Sequence, residues 1–133
     1  MDSSFRPLTS HERALLEKLL EPQFPGRDEL HRQMSSVTGR QVIEDGTLDL
    51  RCDPEPRAPV KCSLAAEGWG PDSDGVMVHL LLWVKDGLMT MLEIYKDDGS
   101  EIRRPPNPAE LEVFTPYGEA GVWSAAWPKG SRG

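Results

Sequence analysis

The stretch Val76–Tyr95 limits this chain's fold more than any other. Two apolar runs, 76–84 and 88–95, flank the pair Asp86-Gly87. A two-residue hairpin turn of the mirror-image type needs positive φ at both central residues, and Asp-Gly accepts that conformation. The pattern predicts a long antiparallel hairpin at the centre of a sheet. With regular pairing, Val78, Leu80, Leu82 and Val84 share a face with Met89, Met91, Glu93 and Tyr95. His79, Leu81 and Trp83 then share the other with Thr90, Leu92 and Ile94. Both faces are largely apolar in that register, which predicts cover on both sides.

The N-terminal third has a helical period. Thr9-Ser10-His11-Glu12 matches a capping box, and Leu15, Leu16, Leu19 and Leu20 line one face of the helix that follows, which Pro22 closes. Asp28 and Glu29 suit the first turn of a second, shorter helix with Leu30 and Met34 directed inward. The period then changes to two. Gln41–Glu44 and Thr47–Leu50 flank Asp45-Gly46, which predicts a hairpin with Ile43 opposite Leu48. Residues 53–59 hold three prolines and read as an extended connector. Residues 60–67 alternate as a half-exposed strand. Residues 68–75, Gly-Trp-Gly-Pro-Asp-Ser-Asp-Gly, read as a loop. Asp98-Gly99 turns the chain into a strand at 101–104, pairing Glu93 with Arg104 and Lys96 with Glu101. Asn107 and Pro108 then start a short helix at 109–112. The expected fold is α+β: an N-terminal helical hairpin packed on a five- to six-stranded, mainly antiparallel meander sheet, with a short C-terminal helix and tail. Residues 1–114 form the domain, and 115–133 the Gly/Ala/Trp-containing tail.

At this point the chain resembles a family of small, mostly bacterial α+β domains of unassigned function. The resemblance rests on Arg6-Pro7-Leu8-Thr9 and Phe24-Pro25-Gly26-Arg27-Asp28-Glu29-Leu30. It continues through Asp86-Gly87-Leu88, Leu92-Glu93-Ile94-Tyr95 with Asp98-Gly99, and Arg104-Pro105-Pro106. Some members have layouts similar to immunity proteins, which bind and block a toxin. The resemblance spans roughly residues 6 to 114, implies a fold more than an activity, and brings no catalytic residues; the tail lies outside it.

Charge and motif content narrow the function classes. The formal charge is −7 over 133 residues, with no cluster of Lys and Arg. Nucleic-acid binding requires basic groups to neutralise phosphates, so this balance argues against it. No apolar run reaches membrane-spanning length and the N-terminus lacks a signal-peptide core, so a cytoplasmic protein without membrane insertion is expected. There is no phosphate-binding glycine motif, nucleophile elbow or Cys-x-x-Cys pair, and the three histidines have no metal-ligand spacing. No catalytic set, metal or cofactor is expected. Cys52 and Cys62 read as buried free thiols.

Two function classes remain. The first is a non-catalytic protein–protein interaction module, an accessory subunit or an immunity-type inhibitor. Its partner-binding candidates are Trp69 in the expected loop, Trp123 and Trp127 at i, i+4 in the tail, and Asp97 and Asp98 in the turn. Each Trp has a plain alternative, in which the ring caps the sheet. The second class is a small enzyme or ligand-binding domain with a pocket between the sheet and the first helix. His79, Trp83, Glu93 and Tyr95 are its candidates; against it, His79 on an apolar strand reads more often as a satisfied core histidine than as a ligand, and Glu93 more simply as half of an ion pair with Arg104.

Overall fold

The computed structural model of the chain describes residues 5–59 and 64–115. In chain order the elements are β1 (Arg6–Pro7), α1 (Ser10–Leu19), α2 (Arg27–Gln33), β2 (Thr38–Gln41), β3 (Leu48–Arg51), β4 (Leu64–Pro71), β5 (Met77–Lys85), β6 (Leu88–Lys96) and β7 (Glu112–Phe114). A single 3-10 turn, Pro108–Glu110, precedes β7. The fold is α+β, as expected. The strands form one antiparallel sheet in the order β1-β2-β3-β6-β5-β4-β7, seven strands rather than five or six.

The helix start is the one its sequence predicts. Thr9 Oγ1 accepts from Glu12 N at 3.0 Å and Glu12 Oε1 accepts from Thr9 N at 2.9 Å, closing the capping box. Arg6 adds a bidentate pair to the same Glu12 carboxylate. Leu15, Leu16, Leu19 and Leu20 are buried, each burial contributing roughly 1.5–3 kcal/mol. They pack with Leu30 and Met34 against Leu48, Leu80, Leu82, Leu92 and Ile94 of the sheet. Close approach of α1 to β4 requires Gly68, where a Cβ would lie 3.0 Å from the Leu19 side chain.

The central hairpin has the predicted turn, with φ of 54° at Asp86 and 80° at Gly87. Its register differs from regular pairing. Val84 pairs with Met89, but Trp83 pairs with Met91, so Thr90 is an unpaired bulge residue. Beyond it every partner moves by one. Leu82 faces Leu92 and Leu80 faces Ile94 on the helix side, while Leu81 faces Glu93 and His79 faces Tyr95 on the other. A second bulge puts Ala65 between the pairs Leu64–Trp83 and Ala66–Leu82. Thus both neighbours of β5 bulge beside Trp83, adding one residue each to follow its twist.

Four further expectations are corrected. Gly68-Trp69-Gly70 is strand, because the small residues alternate onto the crowded helix side and Trp69 onto the other. Residues 101–104 form no strand; Arg104 turns to Glu110 and Pro71 O, while Glu93 accepts from Trp83 Nε1. Ile43 does not face Leu48. Gln41 does, and Ile43 sits 54% exposed in a longer turn. The expected C-terminal helix is only the 3-10 turn, since Leu111 is extended and β7 pairs with β4.

A polar latch ties α2 to the hairpin. Gln33 is 1% exposed; its Nε2 donates to Gly87 O at 2.7 Å and Pro56 O at 2.8 Å, and its Oε1 accepts from Met89 N at 3.0 Å. Ala58 N also donates to Gly87 O, at 2.9 Å. A Cβ on Gly87 would sit 2.7 Å from Ala58 O at a φ of +80°. Gly87→Ala is therefore expected to lose roughly 2–4 kcal/mol, combining left-handed strain with a backbone clash. Gly99→Ala, with φ of +74° and no atom within 4 Å of the new Cβ, should lose only about 1 kcal/mol. Urea denaturation midpoints of the two variants check the difference; equal losses would refute the backbone clash.

Candidate functional site

Both helices pack on one side of the sheet: α1 on β4 and β7, α2 on β6. The opposite side carries a row of functional groups from β4, β5, β6 and β7. Trp69, His79 and Tyr95 lie across from one another in the ladder, with Glu67, Leu81 and Glu93 in the next row. The Tyr95 ring stacks on the His79 imidazole at 4.9 Å, and Trp69 stacks on Phe114 at 4.1 Å. His79 Nδ1 is 3.2 Å from Glu67 Oε2. Asp97 Oδ1 lies 2.8 Å from Nε2 as a charge contact, off the line of a hydrogen bond. His79 is 2% exposed and Glu67 0%, whereas the Asp97 side chain is 45% exposed. Burial pushes the His79 pKa down, but the Glu67 hydrogen bond and the two carboxylate charges outweigh it, and the net direction is up. The imidazole is thus held between two carboxylates. A ring so deeply buried has no open side for substrate.

A second polar centre lies where β6 ends. Lys96 is 4% exposed, and its Nζ donates to Asp72 Oδ2 at 2.9 Å, Asp74 Oδ2 at 2.7 Å and Glu101 O at 3.2 Å. Three acceptors use all three ammonium protons. Asp72 also accepts from Arg103 N at 2.7 Å and Ser73 N at 2.7 Å. The Arg103 amide, foremost, and Lys96 hold the Asp72 carboxyl well below the usual range; the Lys96 hydrogen bond, foremost, lowers Asp74. Burial lowers Lys96, but its two carboxylates raise it overall. The centre is internally satisfied and clamps the 72–74 turn and the 101–103 segment onto the end of the sheet.

Beside that centre is a cleft of about 680 Å³ between α1, the 44–46 turn and the 99–106 segment. Leu15, Ile94 and Ile102 contribute apolar wall, and Glu44, Asp45 and Glu101 are among the charged groups.

The structure places the expected site residues as follows. His79, Trp83, Glu93 and Tyr95 come together, but on the side away from the helices. The space between the sheet and α1 is filled by leucines, so the expected pocket there is not built from these residues. Trp69 is 8% exposed within β4, so it caps the sheet rather than standing out in a loop. Asp97 reaches His79, and Asp98 accepts from Ser100 N and Oγ in its turn. Trp123, Trp127 and Cys62 lie outside the described residues. Cys52 is a free thiol pushed up to about 11, chiefly by burial. Glu67 was not legible as a partner of His79, because residues 68–75 read as a loop. The expected Lys96–Glu101 pairing is met only at the Glu101 carbonyl, and Asp72 and Asp74 are not legible as partners of Lys96 because charged residues bounding turns resemble surface. Among the described residues there is no cluster of three or more metal-ligating side chains, and no helix long and apolar enough to cross a membrane.

Comparison with known families matches the chain over residues 5–106 to the family described as Domain of unknown function (DUF6984). No curated protein and no solved structure matches the chain.

These shifts have opposite pH signs. Asp72 and Asp74 sit below their ordinary 3.8, so their contribution is present above that value and is lost as pH falls through the folded pKa values. His79 sits above its ordinary 6.5, so its contribution is complete below that pH and is lost as pH rises through the folded pKa. Urea denaturation of the wild type and His79→Gln across pH 5 to 9 should show the wild-type advantage shrinking on the alkaline side. A difference constant over that range would refute the assignment.

Proposed function

We propose that this chain, which belongs to the family described as Domain of unknown function (DUF6984), is a non-catalytic protein-interaction module whose sheet face opposite the two described helices docks a basic partner surface. An accessory subunit and an immunity-type inhibitor are the two forms of this reading. The likeness to mostly bacterial, immunity-like domains is its finer part. One observation carries it: Trp83, Met91, Glu93, Tyr95 and Phe114 remain half-buried on the face where neither helix packs.

Large aromatic rings and Met are enriched in protein interfaces. Glu93 and the 45%-exposed Asp97 add negative charge to this face, and a chain of formal charge −7 steers a basic partner toward it. The sheet positions these side chains rigidly through its ladder, with Trp83 Nε1 donating to Glu93 Oε1 at 2.8 Å. Rigid rings lose little conformational entropy on binding, which favours affinity.

Affinity purification from the native cells at low salt, repeated with variants, tests the reading. Met91→Lys and Glu93→Lys should each weaken a stoichiometric partner by roughly tenfold or more, as expected for truncating or reversing interface contacts. Glu17→Lys, on the exposed side of α1, should leave it bound. Retention of the partner by all three variants, or no stoichiometric partner from the wild type, would overturn the proposal. Circular dichroism of each variant separates lost docking from lost folding.

A further inference from the structure

The cleft beside α1 is a second surface, and its chemistry is distinct from that of the sheet face. Leu15, Ile94 and Ile102 give it an apolar lining. Its charges do not cancel evenly. Arg103 and Arg104 also line it, but each faces a carboxylate, Arg103 Nε 3.5 Å from Asp74 and Arg104 Nη2 3.1 Å from Glu110, while the Glu12 carboxylate is taken by Arg6. Glu44, Asp45 and Glu101 have no basic partner among the described residues. Asp45 spends one oxygen on Thr47 N, and Glu101 gives its carbonyl, not its carboxylate, to Lys96. The cleft therefore joins an aliphatic wall to uncompensated carboxylates.

We propose that the cleft receives a lysine or arginine side chain of a protein partner, its alkyl stem on Leu15, Ile94 and Ile102 and its charged head at Glu44, Asp45 and Glu101. Long basic side chains distribute themselves this way, with the stem on apolar surface and the cation in polar surroundings. A volume of about 680 Å³ exceeds what one such side chain fills, which leaves room for the flanking peptide. The rim favours a peptide over a free amine. Val42 and Ile43, next to Glu44 in the chain, are 43% and 54% exposed and offer apolar contact outside the cleft. The side-chain walls 11–12, 15, 44–46, 94 and 99–106 all fall within the matched residues 5–106. The proposal extends the interaction reading but uses a different surface, so either can fail alone.

The test is a titration of the full chain, followed by amide NMR. Its probes are a short peptide with one arginine between apolar residues, the same peptide with citrulline, and the small amine agmatine. The arginine peptide should shift the resonances of Ile94 and Ile102 saturably, and binding should weaken with added salt, as expected for partly exposed charges. The citrulline peptide should bind much less. Glu44→Gln combined with Glu101→Gln should weaken the arginine peptide roughly fivefold to tenfold, while Glu17→Gln leaves it unchanged. Met91→Lys should not affect this titration, which separates it from the sheet face. Equal binding of the arginine and citrulline peptides would overturn the proposal, as would an unaffected double variant. Agmatine binding as tightly as the peptide would replace the protein side chain with a free amine and overturn it too.

Discussion

One unpaired residue, Thr90, decides which side chains of the central hairpin meet the helices. Side chains alternate along a strand, so a one-residue slip exchanges its faces. With regular pairing, Glu93 and Tyr95 would share a side with Leu80 and Leu82, beneath the leucines of α1. An unpaired carboxylate in that layer costs several kcal/mol. The bulge instead sends Leu92 and Ile94 to the helices and Glu93 and Tyr95 to the far side, where Glu93 accepts from Trp83 and Tyr95 stacks on His79. Thr90 itself is anchored, its Oγ1 donating to Trp83 O at 3.3 Å. The apolar core and the aromatic face are therefore consequences of the same irregularity.

Two polar side chains hold the surrounding elements to that hairpin. Gln33 satisfies three main-chain groups at its turn end, and Lys96 draws together the 72–74 and 101–103 segments at its open end. Each uses its hydrogen-bonding capacity almost completely. That matters because a buried polar group left unpaired costs about 1–3 kcal/mol, more when charged. Hydrophobic burial alone is non-directional. These two centres supply direction, and they fix where α2 and the cleft segments sit relative to the sheet.

Local chemistry made some of this legible in the sequence. The capping box of α1, its leucine face, the positive-φ turn at Asp86-Gly87 and the Asn107 cap each depend on residues a few positions apart. The bulges were not legible, because apolar residues stand on both sides of the β5–β6 hairpin and alternation alone does not reveal one extra residue. Gly68-Trp69-Gly70-Pro71 carries the composition of a loop, yet the glycines are small because Leu19 and Leu111 press on them. Pairing between distant segments decided that case. The same holds for the candidate site: His79 was visible as a buried histidine, while its partners Glu67 and Asp97 became visible only once β4 was placed beside β5.

The distribution of ion pairs decides where the acidic balance falls on the molecule. Arg6 is spent on Glu12, Arg40 on Asp49, Lys96 on Asp72 and Asp74, and Arg104 on Glu110. Each pairing removes a base from the general surface and fastens one segment to another. Part of the surplus of carboxylates, Glu44, Asp45 and Glu101, stands around the cleft without a described basic partner. On the sheet face, Asp97 shares its charge with an almost fully buried histidine. A net charge spread evenly would only aid solubility. Placed beside apolar groups, it gives the proposed docking surfaces their negative sign. The bases that fasten one segment to another are held at fixed carboxylates, so the acids those pairs leave over set the local sign of the surface.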